Sequence, residues 1–147
     1  MDSNWVIGVD EAGRGPVIGP LVVAALAIPL DDIEILSKLN VKDSKDISPN
    51  ERLRIFTEIN QRIEDDKWKS GLILCSPKRI DINSMTSDLN SLEIDLFSEA
   101  IFATDLSSDS GVIRADACDV NEDRFRNRLQ SSLGEDWRNW RIDAEHG

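Results

Sequence analysis

The sequence predicts an α/β domain built on a mixed sheet, and three observations carry that prediction. Short apolar runs at Trp5 to Val9, Leu21 to Ile28, Gly71 to Cys75 and Val112 to Ala115 have strand length and strand composition. Helix-start signals fall between the later runs. An opening pair of strands precedes the alternation, so the sheet cannot be wholly parallel. At 147 residues, 40% of them apolar, the chain fits one domain with its own core, read here as residues 1–147.

Taken in order, Trp5 to Val9 is a short buried strand and Leu21 to Ile28 a longer one, joined by turn chemistry. Ser48-Pro49-Asn50-Glu51 is a capping box with proline at the first helical position. Leu53, Phe56, Ile59 and Ile63 then draw an apolar stripe along that helix. Gly71 to Cys75 is a strand. Asn90 with Glu93 reads as a second cap, opening a helix that carries Leu92, Leu96, Phe97, Ala100 and Ile101. Val112 to Ala115 is a strand ending in Asp116. Asn121 caps the next helix, with Val120 and Phe125 at the positions of a hydrophobic staple. Leu129 and Leu133 continue its stripe, and Gly134 is placed to stop it. Trp140 to Ala144 is the final strand.

Composition excludes several classes. No apolar run approaches the ~20 residues of a membrane span, and MDSNWVIG lacks the basic start of a signal peptide. Cys75 and Cys118 match no paired metal or disulfide framework and read as buried free thiols. A cytoplasmic protein with no membrane partner follows. The net charge of −11 does not exclude a polyanionic partner. Clustered carboxylates can hold divalent cations, which then attract phosphate.

The stretch VDEAGRGPVIGP, Val9 to Pro20, decides between two kinds of phosphate chemistry. A dinucleotide fingerprint needs G-x-G-x-x-G opening a helix. Here Gly13, Gly15 and Gly19 have the wrong spacing, prolines intervene, and a β-rich run follows. A metal site suits the residues better. Mg²⁺ and Mn²⁺ prefer hard oxygen donors, and two-metal phosphodiester hydrolysis needs several carboxylates converging on cations ~4 Å apart. Asp10 and Glu11 would point to opposite faces within a regular strand. They can share one site only if the strand ends there, which the glycine-rich turn allows. A second acid pair, Asp116 and Asp119, follows another strand. Parallel strands gather such end residues at one edge of a sheet. On that basis Asp10, Glu11 and Asp116 are expected within roughly 4–8 Å of one another.

DEAGRGPVIGP, KDSK at Lys42 to Lys45, RADACDVN at Arg114 to Asn121 and AEHG at Ala144 to Gly147 together resemble ribonuclease HII. The continuation VIGPLVVAA is similar to the archaeal form. The resemblance implies a ribonuclease H-like fold, a mixed sheet flanked by helices. It implies a metal-dependent endonuclease that hydrolyses the RNA strand of RNA–DNA hybrids and cuts 5′ to ribonucleotides embedded in duplex DNA. The related ribonuclease HIII, with its additional N-terminal domain, is not expected, because the signature starts within ten residues of Met1.

By the same resemblance Asp10, Glu11 and Asp116 are catalytic metal ligands for two Mg²⁺ or Mn²⁺ ions, with Asp10 bridging them. Gly13, Arg14 and Gly15 contact the substrate backbone around the ribonucleotide, where the 2′-OH separates RNA from DNA. Lys42, Ser44 and Lys45 hold phosphates. Asp119 and Asn90 are better read as a turn residue and a cap, and His146 matches a family position near the site. The family places a fourth catalytic aspartate just after its AEHG-like segment, then a helical region with a tyrosine that packs on the junction. This chain ends at Gly147 and has no tyrosine, so the expectation is a C-terminally truncated member, monomeric when full length. Its alternative function is hybrid binding without cleavage. Arg14 gives a direct test. Arg14→Ala is expected to weaken hybrid binding and lower the salt slope by about one unit, as one lost phosphate contact requires. A titration at several salt concentrations with unchanged affinity and slope would make it an ordinary surface arginine.

Overall fold

The computed structural model describes residues 4–12, 21–39, 48–86, 89–116 and 121–145. Its strands are β1 (Asn4–Ala12), β2 (Leu21–Pro29), β3 (Lys69–Cys75), β4 (Ser110–Asp116) and β5 (Trp140–Glu145). Its helices are α1 (Ile33–Leu39), α2 (Pro49–Glu64), α3 (Pro77–Thr86), α4 (Leu89–Ala103) and α5 (Glu122–Leu133). The strands form one sheet in the order β3-β2-β1-β4-β5. The first three pair antiparallel, while β1–β4 and β4–β5 are parallel. A mixed α/β sheet is what the opening strand pair implied.

Side chains alternate across this sheet, and the two faces differ. Ile7, Val9, Val23, Ala25, Ile113 and Ala115 point to a face covered by helices and are buried. α4 covers that face. It is apolar nearly all round, with Leu92, Leu96, Phe97, Ala100 and Ile101 wholly buried, because the sheet lies on one side and α5 on another. Phe97 meets Phe125 of α5 edge to face, ring centres 5.6 Å apart, a favoured arrangement of aromatic quadrupoles. Ser98 donates a hydrogen bond to, or accepts one from, Ser132 at 2.7 Å. This bond satisfies a hydroxyl that burial would otherwise penalise.

Local signals locate most helices. Ser48 Oγ accepts the Glu51 N–H at 3.2 Å and Pro49 opens α2. Asn121 Oδ1 accepts the Arg124 N–H at 2.9 Å, and α5 ends at Gly134, where φ is 83°. Cys75 is buried as expected, and burial raises its thiol pKa above the ordinary value. Cys118 and Val120 lie outside the described residues.

Other expectations need correction. Asn90 is not a cap, because α4 starts at Leu89 and puts Asn90 within its first turn. Glu93 is a wholly buried member of the same helix. The stripe of α2 covers no core: Leu53 and Phe56 are 64% and 61% exposed. The end of α2 is anchored where the Arg62 guanidinium lies 5.2 Å from the centre of the Trp68 ring. α1 and α3 were missed, although Ser76-Pro77 repeats the Ser48-Pro49 signal and Ser76 Oγ accepts the Arg79 N–H. Arg79 forks onto Glu99, Nη2 to Oε2 at 2.6 Å, tying α3 to α4. That carboxylate raises the arginine pKa. The strands also run further than the apolar runs suggested, and for β1 the difference matters below.

Gly71 marks the closest approach of sheet and helix. A Cβ there would lie 2.2 Å from the Ala100 carbonyl oxygen, so only glycine lets α4 sit this near β3. Gly71→Ala is expected to destabilise the fold by about 1–3 kcal/mol through overpacking, read as a lower denaturant midpoint. An unchanged midpoint would show that α4 shifts at no cost.

Candidate functional site

Asp10 and Asp116 reach the same place through the parallel pairing of β1 with β4. The register sets Gly8 against Arg114 and Val9 against Ala115, so the next residues on each strand, Asp10 and Asp116, end side by side. Their inward neighbours Val9 and Ala115 are buried under the helices. Period-two alternation therefore turns both acids to the uncovered face. There they line a hollow of about 300 Å³ together with Gly8, Arg114 and Asp143. Asp143 comes from β5, where its register partner is Arg114.

Glu11 stands differently. β1 does not end at Val9 but continues in register with β2 as far as Ala12 opposite Val22. Within that continuous strand Glu11 takes the face opposite Asp10. It is half-buried and does not line the hollow. Its backbone N–H donates to Asp10 Oδ1 at 2.8 Å, which fixes the orientation of that carboxylate. Among the described residues no three His, Cys, Asp or Glu side chains close around one point as a metal cage.

Gly13, Arg14, Gly15, Lys42, Ser44, Lys45, Asp119 and His146 lie outside the described residues. Sequence reasoning overlooked Gly8, Arg114 and Asp143. The first two could have been found by counting back two positions from each acid, since residues i and i+2 share a strand face. Asp143 needed the β4–β5 register. Carboxylate oxygens are the donors that Mg²⁺ and Mn²⁺ take, so Asp10 and Asp116 suit a divalent cation by donor chemistry.

Solved structures with this sheet set its class. The chain superposes on ribonuclease H2 from Pyrococcus horikoshii with a TM-score of 0.72 at 34% identity, covering 97% of this chain and 62% of that one. On the ribonuclease HII of a PCNA:RNase HII complex from Archaeoglobus fulgidus the TM-score is 0.75 at 31% identity, covering 96% and 61%. The fold alone also matches Bst-RNase HIII in complex with Mn²⁺, TM-score 0.68 at 18% identity, over 98% of this chain and 46% of that one. The fold is ribonuclease H-like.

Sequence comparison narrows the class to a family. The family model "Ribonuclease HII" matches residues 7–144. Ribonuclease HII of Pyrococcus furiosus is 40% identical over 126 residues, 86% of this chain and 53% of that protein. Ribonuclease HII of Pyrococcus abyssi is 38% identical over 141 residues, 96% and 58% respectively. The chain belongs to the ribonuclease HII family. It spans between half and three fifths of the length of these relatives.

Among the described residues, no helix is long and apolar enough to cross a membrane. Asp116→Asn, which keeps shape and removes charge, is expected to weaken Mn²⁺ binding at least about tenfold in a calorimetric titration, since metal affinity falls 10–100-fold even for losses around the ligands. Equal affinity would remove Asp116 from any metal site.

Proposed function

We propose that this protein is a metal-dependent endoribonuclease that hydrolyses the RNA strand of RNA–DNA hybrids and cuts 5′ to ribonucleotides embedded in duplex DNA. One observation carries the reading: two acids more than a hundred residues apart, Asp10 and Asp116, line one hollow just beyond the last pair of the parallel β1–β4 ladder, Val9 with Ala115. Membership of the ribonuclease HII family supports the same chemistry.

Asp10 and Asp116 would hold two Mg²⁺ or Mn²⁺ ions, and Glu11 would add its carboxylate only by turning from the opposite face of β1. When bound, divalent cations supply charge neutralisation at the phosphoryl group and a water acidic enough to attack near neutral pH. The chain's own residues set where that happens. The Glu11 N–H fixes Asp10 through Oδ1. The β1–β4 ladder holds the two carboxylates at a constant lateral offset, so no loop has to order before they meet. Their exposed face opens onto the hollow, and the buried face beneath keeps the strands from shifting.

The second reading is hybrid binding without cleavage. One observation favours it: Glu11 takes the face opposite Asp10, so among the described residues no three acids close around one metal position. On this view the chain by itself, monomeric or not, turns over slowly or not at all.

Single-turnover cleavage of a duplex carrying one ribonucleotide, in Mg²⁺ or Mn²⁺, separates the readings. The endonuclease reading expects incision 5′ to the ribonucleotide, and a loss of about a hundredfold or more in Asp10→Asn, since cation-assisted chemistry is worth several kcal/mol. Binding without incision would establish the second reading for this chain.

A further inference from the structure

We infer that Arg114 and the bare backbone of Gly8 form a seat for one backbone phosphate of the bound nucleic-acid strand, next to the position where Asp10 and Asp116 act. This rests on the nucleic-acid reading above and adds a contact which that reading does not use.

The first argument is placement. Arg114 lies two residues before Asp116 on β4, exposed on the same face of the sheet. At about 3.3 Å per residue the two Cα atoms stand roughly 6–7 Å apart along the strand. That spacing is comparable to the distance between neighbouring phosphates of one nucleic-acid strand. An arginine here can hold the phosphate beside the one that the carboxylates serve.

Space is the second argument. Gly8 faces Arg114 across the ladder, and a Cβ built on it would meet nothing within 4 Å. The absence of a side chain is therefore not required by packing. It leaves an open floor in a hollow of about 300 Å³, the room of roughly ten water molecules at ~30 Å³ each. A phosphate with its flanking sugar atoms fits that room.

The third argument is charge. The chain carries −11 overall, and among the described residues the charged ones lining the hollow are Asp10, Asp116, Asp143 and Arg114. A polyanion approaching those carboxylates needs a fixed cation beside them. A guanidinium keeps its charge at any working pH and forks onto phosphate oxygens. Asp143, in register with Arg114, does not consume that charge: its Oδ2 accepts from Arg141 Nη2 at 3.3 Å.

The test measures binding of a fluorescent RNA–DNA hybrid by the 147-residue chain, with Ca²⁺ in place of Mg²⁺, across a range of salt. Arg114→Ala is expected to weaken binding about five- to tenfold at low salt and to reduce the salt slope by about one. Arg114→Lys should keep the slope while losing part of the affinity. Gly8→Val, which fills the hollow where nothing is displaced, should weaken binding with an unchanged melting temperature. Arg126→Ala on α5, away from the hollow, is the control for net charge. Unchanged affinity and slope in Arg114→Ala, or an equal loss in Arg126→Ala, would overturn the proposal while leaving hybrid binding intact. Failure of the unaltered chain to bind the hybrid would instead overturn the functional reading, and this proposal with it.

Discussion

The parallel ladder between β1 and β4 is the constraint on which the rest depends. It joins the N-terminal strand to one that starts only at Ser110, so the chain must add β2 and β3 and then cross back over the sheet through α3 and α4 to run parallel to β1. Its register is also exact in consequence. Because strand side chains alternate, a slip of one residue would turn Asp116 toward the helices and bring Ala115 to the open face. Gly111 helps to hold the register. A Cβ there would come 1.9 Å from the Trp5 carbonyl oxygen, a contact only glycine permits at that point of the ladder.

The same alternation makes the sheet asymmetric. On one face, Ile7, Val9, Ile113 and Ala115 bury against α4 and α5, and this apolar contact supplies the favourable free energy that holds the strands together. The other face carries the hollow and, further along, Leu72 and Leu74 of β3, which are 64% and 66% exposed. Core and site are thus opposite sides of one pleat. A residue placed for packing fixes the direction of its neighbour, which faces the hollow. Stability and site geometry cannot be varied independently along β1 and β4.

The tryptophans reinforce both ends of this arrangement. Trp140 donates from Nε1 to the Leu106 carbonyl at 3.1 Å and packs against Trp137, ring centres 5.3 Å apart, where β5 begins. Trp68 donates to Asp32 Oδ2 at 3.0 Å and meets Arg62, where α2 hands over to β3. Trp68 and Trp140 each bury a large ring while satisfying its polar nitrogen. These contacts anchor the strands at the end away from the hollow.

Local chemistry was legible in the sequence wherever the determinant is local. The caps at Ser48 and Asn121, the stop at Gly134, the apolar face of α4 and the mixed sheet all follow from side chains a few residues apart. So does the place of Asp116 as an acid at a strand end, whereas Asp10 lies inside β1. Tertiary structure decided what depends on pairing. The extension of β1 to Ala12, set by its ladder with β2, put Glu11 on the face opposite Asp10. The β4–β5 register brought Asp143 to the hollow, and burial elsewhere left Leu53 and Phe56 of the α2 stripe exposed. The physical reason is one of range. Caps and periodicity are fixed by bonds within a turn of the chain, whereas strand ends, register and burial are fixed by the strand that arrives alongside.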